Sequence, residues 1–254
     1  CRLCPRACGV NRLIGERGFC GLTDRVHCYR DVLNFKEEQE LIPSHQVHLA
    51  GCNLRCDYCM VMEWNEQPGA AKELDEDQLT AAIDRRLSQG AKTLNLLGGE
   101  PSVSIHGILR LLAKTNPDVR LVWNSNMYFQ PIVDELLDGL VDLYLADFKC
   151  GCNACAEKIL GAPDYVSVVQ ASLKRVIDKA DVIVRHILLP GHRECCLKSM
   201  LAWILREVPE VKVSIKGDYI PPAAPCHAPV CYVSEEEYRS ALKLAQEMGV
   251  NLIS

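Results

Sequence analysis

From residue 45 onward, short apolar runs alternate with amphipathic stretches, and this alternation constrains the fold more than any other feature of the chain. Strand-like runs lie at 46–50, 93–97, 120–124, 142–148, 181–188 and 211–215. They carry Val, Leu and Ile on both faces, as strands covered by helices on either side require. Helical patterns lie between them at 75–89, 104–115, 131–138, 165–178, 195–207 and 235–248. Asp75 with Gln78, and Ser234 with Glu237, have capping-box spacing, and Gly249 sits where a helix ends in the left-handed region. Pro117, Pro131, Pro190 and Pro209 fall at joints, where they break nothing. Six β-α units in succession predict parallel strands joined by right-handed crossovers. Six is short of the eight that close a barrel, so the expected fold is α/β, a partial (β/α)6 TIM-like barrel. Functional residues are then expected at the C-terminal ends of strands. No internal repeat or low-complexity segment interrupts the pattern.

The first 44 residues lack this rhythm. The expected division is therefore a cysteine-rich N-terminal metal-binding appendage at 1–44 and a barrel at 45–254. Cysteine accounts for 15 of the 254 residues, an odd count arranged in tight local groups. Disulfide scaffolds reach such densities in short secreted chains with even counts. Thiols two to four residues apart suit a metal better, and a reducing, cytoplasmic location follows as the expectation. A net charge of −5 makes non-specific nucleic-acid or membrane binding unexpected. No apolar run approaches the roughly 18 residues of a membrane helix. The chain opens on Cys1 without an initiator methionine, consistent with residues upstream, and shows no signal-peptide core.

Directly after the first predicted barrel strand comes Gly51-Cys52-Asn53-Leu54-Arg55-Cys56-Asp57-Tyr58-Cys59. Three thiolates at spacings of four and three residues can converge from one loop on a metal cluster. Three ligands on a four-iron cube leave one iron open to a substrate or cofactor. The plainer alternative is a structural zinc knuckle short of its fourth ligand.

Cys-x-x-x-Cys-x-x-Cys after the first strand, with Tyr58 just before its last cysteine, resembles the radical S-adenosylmethionine (SAM) superfamily. Leu97-Gly98-Gly99-Glu100-Pro101, at the end of the second predicted strand, resembles that superfamily's Gly-Gly-Glu-Pro motif. Alone, a Gly-Gly pair reads as a turn. The resemblance implies a [4Fe-4S] cluster on Cys52, Cys56 and Cys59. It also implies reductive cleavage of SAM to a 5′-deoxyadenosyl radical, fed by an electron donor such as flavodoxin or ferredoxin. It places Tyr58 near the adenine, and Gly98 and Gly99 against the methionine end of SAM with Glu100 on its ammonium. Asn124, Ser125 and Asn126 fall where the superfamily sets polar groups near SAM, though a satisfied polar turn explains them equally well. Asp147-Phe148-Lys149 resembles the Asp-Leu-Lys of glycyl-radical activating enzymes, with a buried ion pair as the alternative. Arg185 matches a basic residue facing the SAM carboxylate, or else pairs with a neighbouring carboxylate.

Cys1-x-x-Cys4-Pro5-Arg6-x-Cys8-Gly9, followed by Gly15-Glu16-Arg17-Gly18-Phe19-Cys20-Gly21, resembles the pyruvate formate-lyase activating enzyme-like branch. That branch usually continues Phe-Cys-Gln-Asn where this chain reads Tyr58-Cys59-Met60-Val61. Cys1, Cys4, Cys8 and Cys20 supply four thiolates in a loop-rich segment that a metal would stabilise, and both zinc and an iron–sulfur cluster suit them. Cys150, Cys152 and Cys155 follow the fourth predicted strand, and Cys195, Cys196, Cys226 and Cys231 also lie beyond strand ends. Together these can hold a further cluster, supply a hydrogen-atom donor, or simply fill loop cores. Cys28 stands alone and reads as packing. Among the histidines, His192 and His227 are in loops beyond strand ends. Six arginines within residues 1–30 read as a solvated basic face.

The expected function is hydrogen abstraction from a protein or peptide, as the activating-enzyme resemblance implies. Two alternatives stand beside it: a small-molecule radical SAM enzyme with an auxiliary cluster, and a non-catalytic iron–sulfur carrier or metal-binding interaction protein. An electron carrier has no need of Gly98-Gly99-Glu100-Pro101.

Overall fold

All six apolar runs are strands in the computed structural model, which describes residues 1–116, 118–224 and 226–253; Pro117 lies outside the described residues. The fold is α/β, with nine mostly parallel strands and eight α-helices among the described residues. It packs as two compact units. The first is Cys1–Asn53, Val61–Ser125 and Phe129–Tyr144; the second is Leu54–Met60, Asn126–Tyr128 and Leu145–Ser254.

In the first unit, strands β1 (His27–Asn34), β2 (Ser44–Leu49), β3 (Lys72–Glu73), β4 (Thr93–Gly98) and β5 (Leu121–Ser125) lie in the order β3-β1-β2-β4-β5. β2, β4 and β5 run parallel, as the alternation predicts. β1 and β3 add an antiparallel edge that the alternation does not predict. β1 lies inside the cysteine-rich first 44 residues, and His45 Nε2 stands 2.8 Å from Asp31 Oδ1 across the β1–β2 pair. Helices α1 (Met62–Glu66), α2 (Glu76–Ser88), α3 (Ile105–Leu112) and α4 (Pro131–Leu136) complete the unit. Leu79 and Ile83 of α2, and Ile105, Ile108 and Leu111 of α3, are buried, as are Leu94, Leu96, Val122 and Trp123 of the central strands. The Asp75 carboxylate accepts from Gln78 N at 3.0 Å and starts α2.

β6 (Leu143–Asp147) runs into the second unit, where β7 (Asp181–Ile187), β8 (Lys212–Lys216) and β9 (Asn251–Ile253) follow in that order. β7, β8 and β9 are parallel. Helices α5 (Asn153–Leu160), α6 (Tyr165–Val176), α7 (Ser199–Glu207) and α8 (Glu235–Met248) belong here. Two features differ from the sequence expectation. α5 occupies a stretch read as loop, and the helix expected at 195–207 opens as a π-helical turn at Arg193–Lys198. α8 has the expected bounds: Ser234 accepts from Glu237 N at 3.1 Å, and Gly249 takes φ +80°. Phe148, fully buried beyond β6, meets Trp203 of α7 and Tyr165 of α6 edge-on, with centroids 6.0 and 6.5 Å away.

Candidate active site

The end of β4 is interlocked with the chain leaving β2. Gly99 N donates to Leu49 O at 2.7 Å, and Glu100 N donates to Gly51 O at 2.9 Å. A Cβ on Gly98 (φ +127°) would stand 2.2 Å from the backbone N and O of Leu49. The two glycines are therefore demanded by the protein's own backbone on this side, where the resemblance explained them by cofactor approach. Cys52, one residue beyond Gly51, is buried. Glu100 is fully buried; its Oε1 accepts from Ser125 Oγ at 2.8 Å and Ser102 N at 3.1 Å, starting the short helical turn at Pro101–Ser104. Ser125 thus spends its hydroxyl on Glu100, and Asn124 beside it is buried.

Also in the first unit, Cys1, Cys4, Cys8 and Cys20 all line one small cavity, closed by the apolar Leu3, Val10 and Phe19. Burial pushes the Cys4 thiol up from its ordinary value. Arg12, expected on a solvated face, is buried instead: Nη2 donates to Cys20 Sγ at 2.9 Å and Nη1 to Val103 O at 2.6 Å. Phe19 N donates to Cys8 Sγ at 3.4 Å. Arg6 stacks 4.0 Å over the Phe19 ring and donates through Nε to Asn53 O at 3.0 Å, fixing this segment to the residue after Cys52. Cys28, in β1, donates its thiol proton to Arg30 O at 3.3 Å.

The second unit holds the rest of the cysteine loop. Arg55 N and Asp57 N donate to Leu160 O and Ile159 O at the end of α5, at 3.0 and 2.9 Å. Asp57 Oδ2 accepts from the backbone N of His227 (2.8 Å) and Ala228 (3.2 Å), which accounts for the position of His227. The Tyr58 ring stands edge-on to Tyr219, centroids 5.5 Å apart. These anchors come from residues about 100 or more positions away and leave no local sequence signal. Cys59 N bonds Cys56 O at 3.0 Å, and burial pushes the Cys56 thiol up to about 12 against the opposing pull of Lys149. Such a thiol gives up its proton when a metal replaces it.

Asp147 ends β6 and accepts from Arg185 Nε at 2.7 Å and Lys149 Nζ at 2.8 Å. Burial alone would raise its carboxyl; the two cations prevail and hold it far below the usual carboxylate range. Burial likewise opposes charge on Lys149, and Asp147 overcomes it, raising the ammonium. The ion pair expected as one alternative for these residues is present, part-buried, with Arg185 as its second cation. Asn126 Oδ1 accepts from Tyr128 N at 2.9 Å, a local polar turn that carries Met127 at φ +58°.

Of the seven cysteines beyond the later strand ends, Cys152, Cys155, Cys195 and Cys196 bring their sulfurs within 4.8 Å of one another. Cys150 is buried and hydrogen-bonded to Cys196 beside this foursome, while Cys226 and Cys231 are exposed.

Residues 47–204 match the family model of the radical SAM superfamily. The chain belongs to that superfamily. Membership brings a [4Fe-4S] cluster and SAM as cofactors and supports an enzymatic activity. An uncharacterized protein of Methanocaldococcus jannaschii is 30% identical over all of this chain and 76% of its own length. The 7-carboxy-7-deazaguanine synthase of Clostridium acetobutylicum is 28% identical over 54% of this chain and 64% of its own. The structure of Streptococcus suis SuiB bound to its precursor peptide SuiA superposes with a TM-score of 0.56 at 13% identity, covering 79% of this chain. This radical SAM chain spans 46% of the length of SuiB. No helix among the described residues is long and apolar enough to cross a membrane.

Proposed function

We propose that this radical SAM protein abstracts hydrogen from a carbon of a protein or peptide substrate. When bound, a [4Fe-4S] cluster with SAM supplies the electron and the 5′-deoxyadenosyl group for that step. Cys52, Cys56 and Cys59 would hold the cluster, and the chemistry of the donor set fits: three soft sulfurs from one loop, with the Cys56 proton displaced by metal. Glu100, Asn124, Asn126 and Arg185 would orient SAM, and Tyr58 would flank its adenine. Lys149 and Arg185 balance Asp147, so a ligand carboxylate arriving at Arg185 competes with one carboxylate for two cations. Ser125 is a positioning residue, holding the Glu100 carboxylate. Residues 1–44 would carry a second metal or cluster on Cys1, Cys4, Cys8 and Cys20. The buried guanidinium of Arg12 donates to Cys20 Sγ, as outer hydrogen-bond partners do at metal sites.

The observation that carries this reading is the hydrogen-bonded junction of Gly99-Glu100 with Leu49-Gly51, which joins the Gly-Gly-Glu-Pro turn to the chain entering Cys52. The peptide assignment, close to the activating enzymes, is supported by the spacing of the first twenty residues and by SuiB, a fold relative solved with a precursor peptide. A small-molecule substrate is the second reading, favoured by the 28% identity to 7-carboxy-7-deazaguanine synthase. Anaerobically reconstituted protein given dithionite and SAM is expected to form 5′-deoxyadenosine, and Cys52→Ala to form none. Equal product from both proteins would overturn the catalytic assignment. Covalent transfer of deuterium from a labelled peptide into 5′-deoxyadenosine, absent with nucleoside precursors, separates the two substrate classes.

A further inference from the structure

Four of the second unit's thiols have no part in the reading above. We propose that Cys152, Cys155, Cys195 and Cys196 hold a single divalent ion of the zinc class, which clamps the β6–α5 loop to the turn that follows β7.

Each half of the site is prepared by local structure. Cys152 caps α5, its Sγ accepting from Cys155 N at 3.4 Å, so a two-residue spacer sets both sulfurs at the start of one helix. Cys-x-x-Cys at such a turn is the half-site of many four-thiolate zinc centres. Cys195 and Cys196 are adjacent in sequence, and on an α-helix neighbouring side chains diverge. They lie on the π-helical turn Arg193–Lys198, whose extra residue per turn narrows the angle between neighbours. Gly151 brings the two halves together: a Cβ there would lie 2.0 Å from Cys196 O.

The spacing selects the ion. Cys155 and Cys195 sulfurs are 3.8 Å apart, Cys195 and Cys196 sulfurs 3.9 Å, and all four lie within 4.8 Å of one another. An ion bound tetrahedrally at about 2.3 Å sets its sulfurs about 3.8 Å apart. The ligands of a four-iron cube sit on four separate irons and stand farther apart than that. A disulfide needs a single pair at bonding distance, not four sulfurs converging on one point. His192 Nδ1 lies 3.4 Å from Cys195 Sγ, 3.5 Å from Cys155 Sγ and 3.7 Å from Cys196 Sγ. An N–H there steadies thiolate charge from outside the coordination sphere, as outer partners do at metal sites.

Four protein donors close the sphere, which makes the site structural and not catalytic. Its position gives it a task. One tied loop begins just past Asp147 and Lys149, and the other segment leaves β7 just past Arg185, so the ion would brace both sides of that ion pair.

The test is zinc and iron analysis of the anaerobically purified full chain, with X-ray absorption at the zinc edge. The expected result is one zinc equivalent per chain that survives Cys4→Ala, with four sulfur neighbours at about 2.3 Å in that variant. Cys155→Ser combined with Cys195→Ser is expected to lose that equivalent with no loss of iron. Cys226→Ser combined with Cys231→Ser is expected to keep it. Cys155→His retains a zinc donor and preserves the fold, and is expected to exchange one sulfur neighbour for nitrogen. Absence of zinc, an unchanged zinc environment in Cys155→His, or loss of iron in place of zinc from the double variant would each overturn the proposal.

Discussion

A Cβ on Gly99 would stand 2.1 Å from the carbonyl oxygen of Gly51, which also accepts the Glu100 amide proton at 2.9 Å. The Gly-Gly pair and the residue preceding Cys52 are thus one packing unit. The first glycine is forced by its φ of +127° and by Leu49, the second by the Gly51 carbonyl and, at 2.3 Å, by Asn65 Oδ1. Gly98→Ala and Gly99→Ala are expected to cost about 2–4 kcal/mol each, because backbone rather than a yielding side chain stands in the way. Gly139→Ala is the control, at φ +73° with nothing within 4 Å, and should cost about 1–2 kcal/mol. Denaturant midpoints decide; equal losses at Gly99 and Gly139 would remove the packing argument.

Replacing Asp147 leaves Arg185 and Lys149 facing each other without their shared carboxylate. Asp147→Asn is expected to destabilise the protein by about 3–5 kcal/mol. Combining it with Arg185→Met should cost less than the sum of the two, since the second change removes a stranded charge. The carboxyl is held below its ordinary 3.8, so its contribution is fully present above that pH and is lost as pH falls below it. The gap between wild type and Asp147→Asn should therefore be flat across neutral pH. A gap that grows on acidification would count against the ion pair.

His186 is fully buried in β7, with Nδ1 2.7 Å from Phe148 O, and burial lowers its pKa to about 4. The unfolded chain binds this proton from its ordinary 6.5 downward while the folded chain resists until about 4. Stability from this residue is complete above pH 6.5 and falls as pH drops toward 4, by at most about 3 kcal/mol. His186→Gln keeps a donor for Phe148 O and removes the titration. Urea unfolding of both proteins across this window should show the difference between them closing at acid pH.

The four cysteines around the N-terminal cavity predict metal beyond the SAM-associated cluster. Iron and sulfide near eight per chain, falling to about four in Cys4→Ala, would identify a second four-iron cluster. Iron near four in both proteins, with zinc lost from Cys4→Ala, would identify zinc. Arg12→Met is expected to weaken retention of either, by removing the N–H donor to Cys20 Sγ. Unchanged metal content in Cys4→Ala would exclude the cavity as a metal site.

Where a few neighbouring residues dictate the outcome, the sequence is legible. β4 carries Leu94, Leu96 and Leu97 with its first four residues buried, and α8 carries Ser234, Glu237 and Gly249 at the positions capping requires, so both lie where the pattern puts them. β1 is half-buried and mixes Arg30 and Asp31 with Val32 and Leu33; it becomes a strand because β2 pairs with it. α5 is eight residues long and begins among cysteines, so neither period nor length announces a helix.

The sequence by itself determined the α/β class, the three-cysteine loop after a barrel strand, and the Gly-Gly-Glu-Pro turn that together mark the superfamily. Each is written in consecutive residues, and short-range sterics and hydrogen bonds enforce it. Only the tertiary structure decided that Gly99 is shaped by Gly51, that Arg12 is buried against Cys20, and that Asp147 is shared between Arg185 and Lys149. The same holds for the later cysteines. Cys155 and Cys195 are 40 positions apart in the chain and 3.8 Å apart in space, and the crossing of two βα loops, which no local propensity encodes, is what selects them.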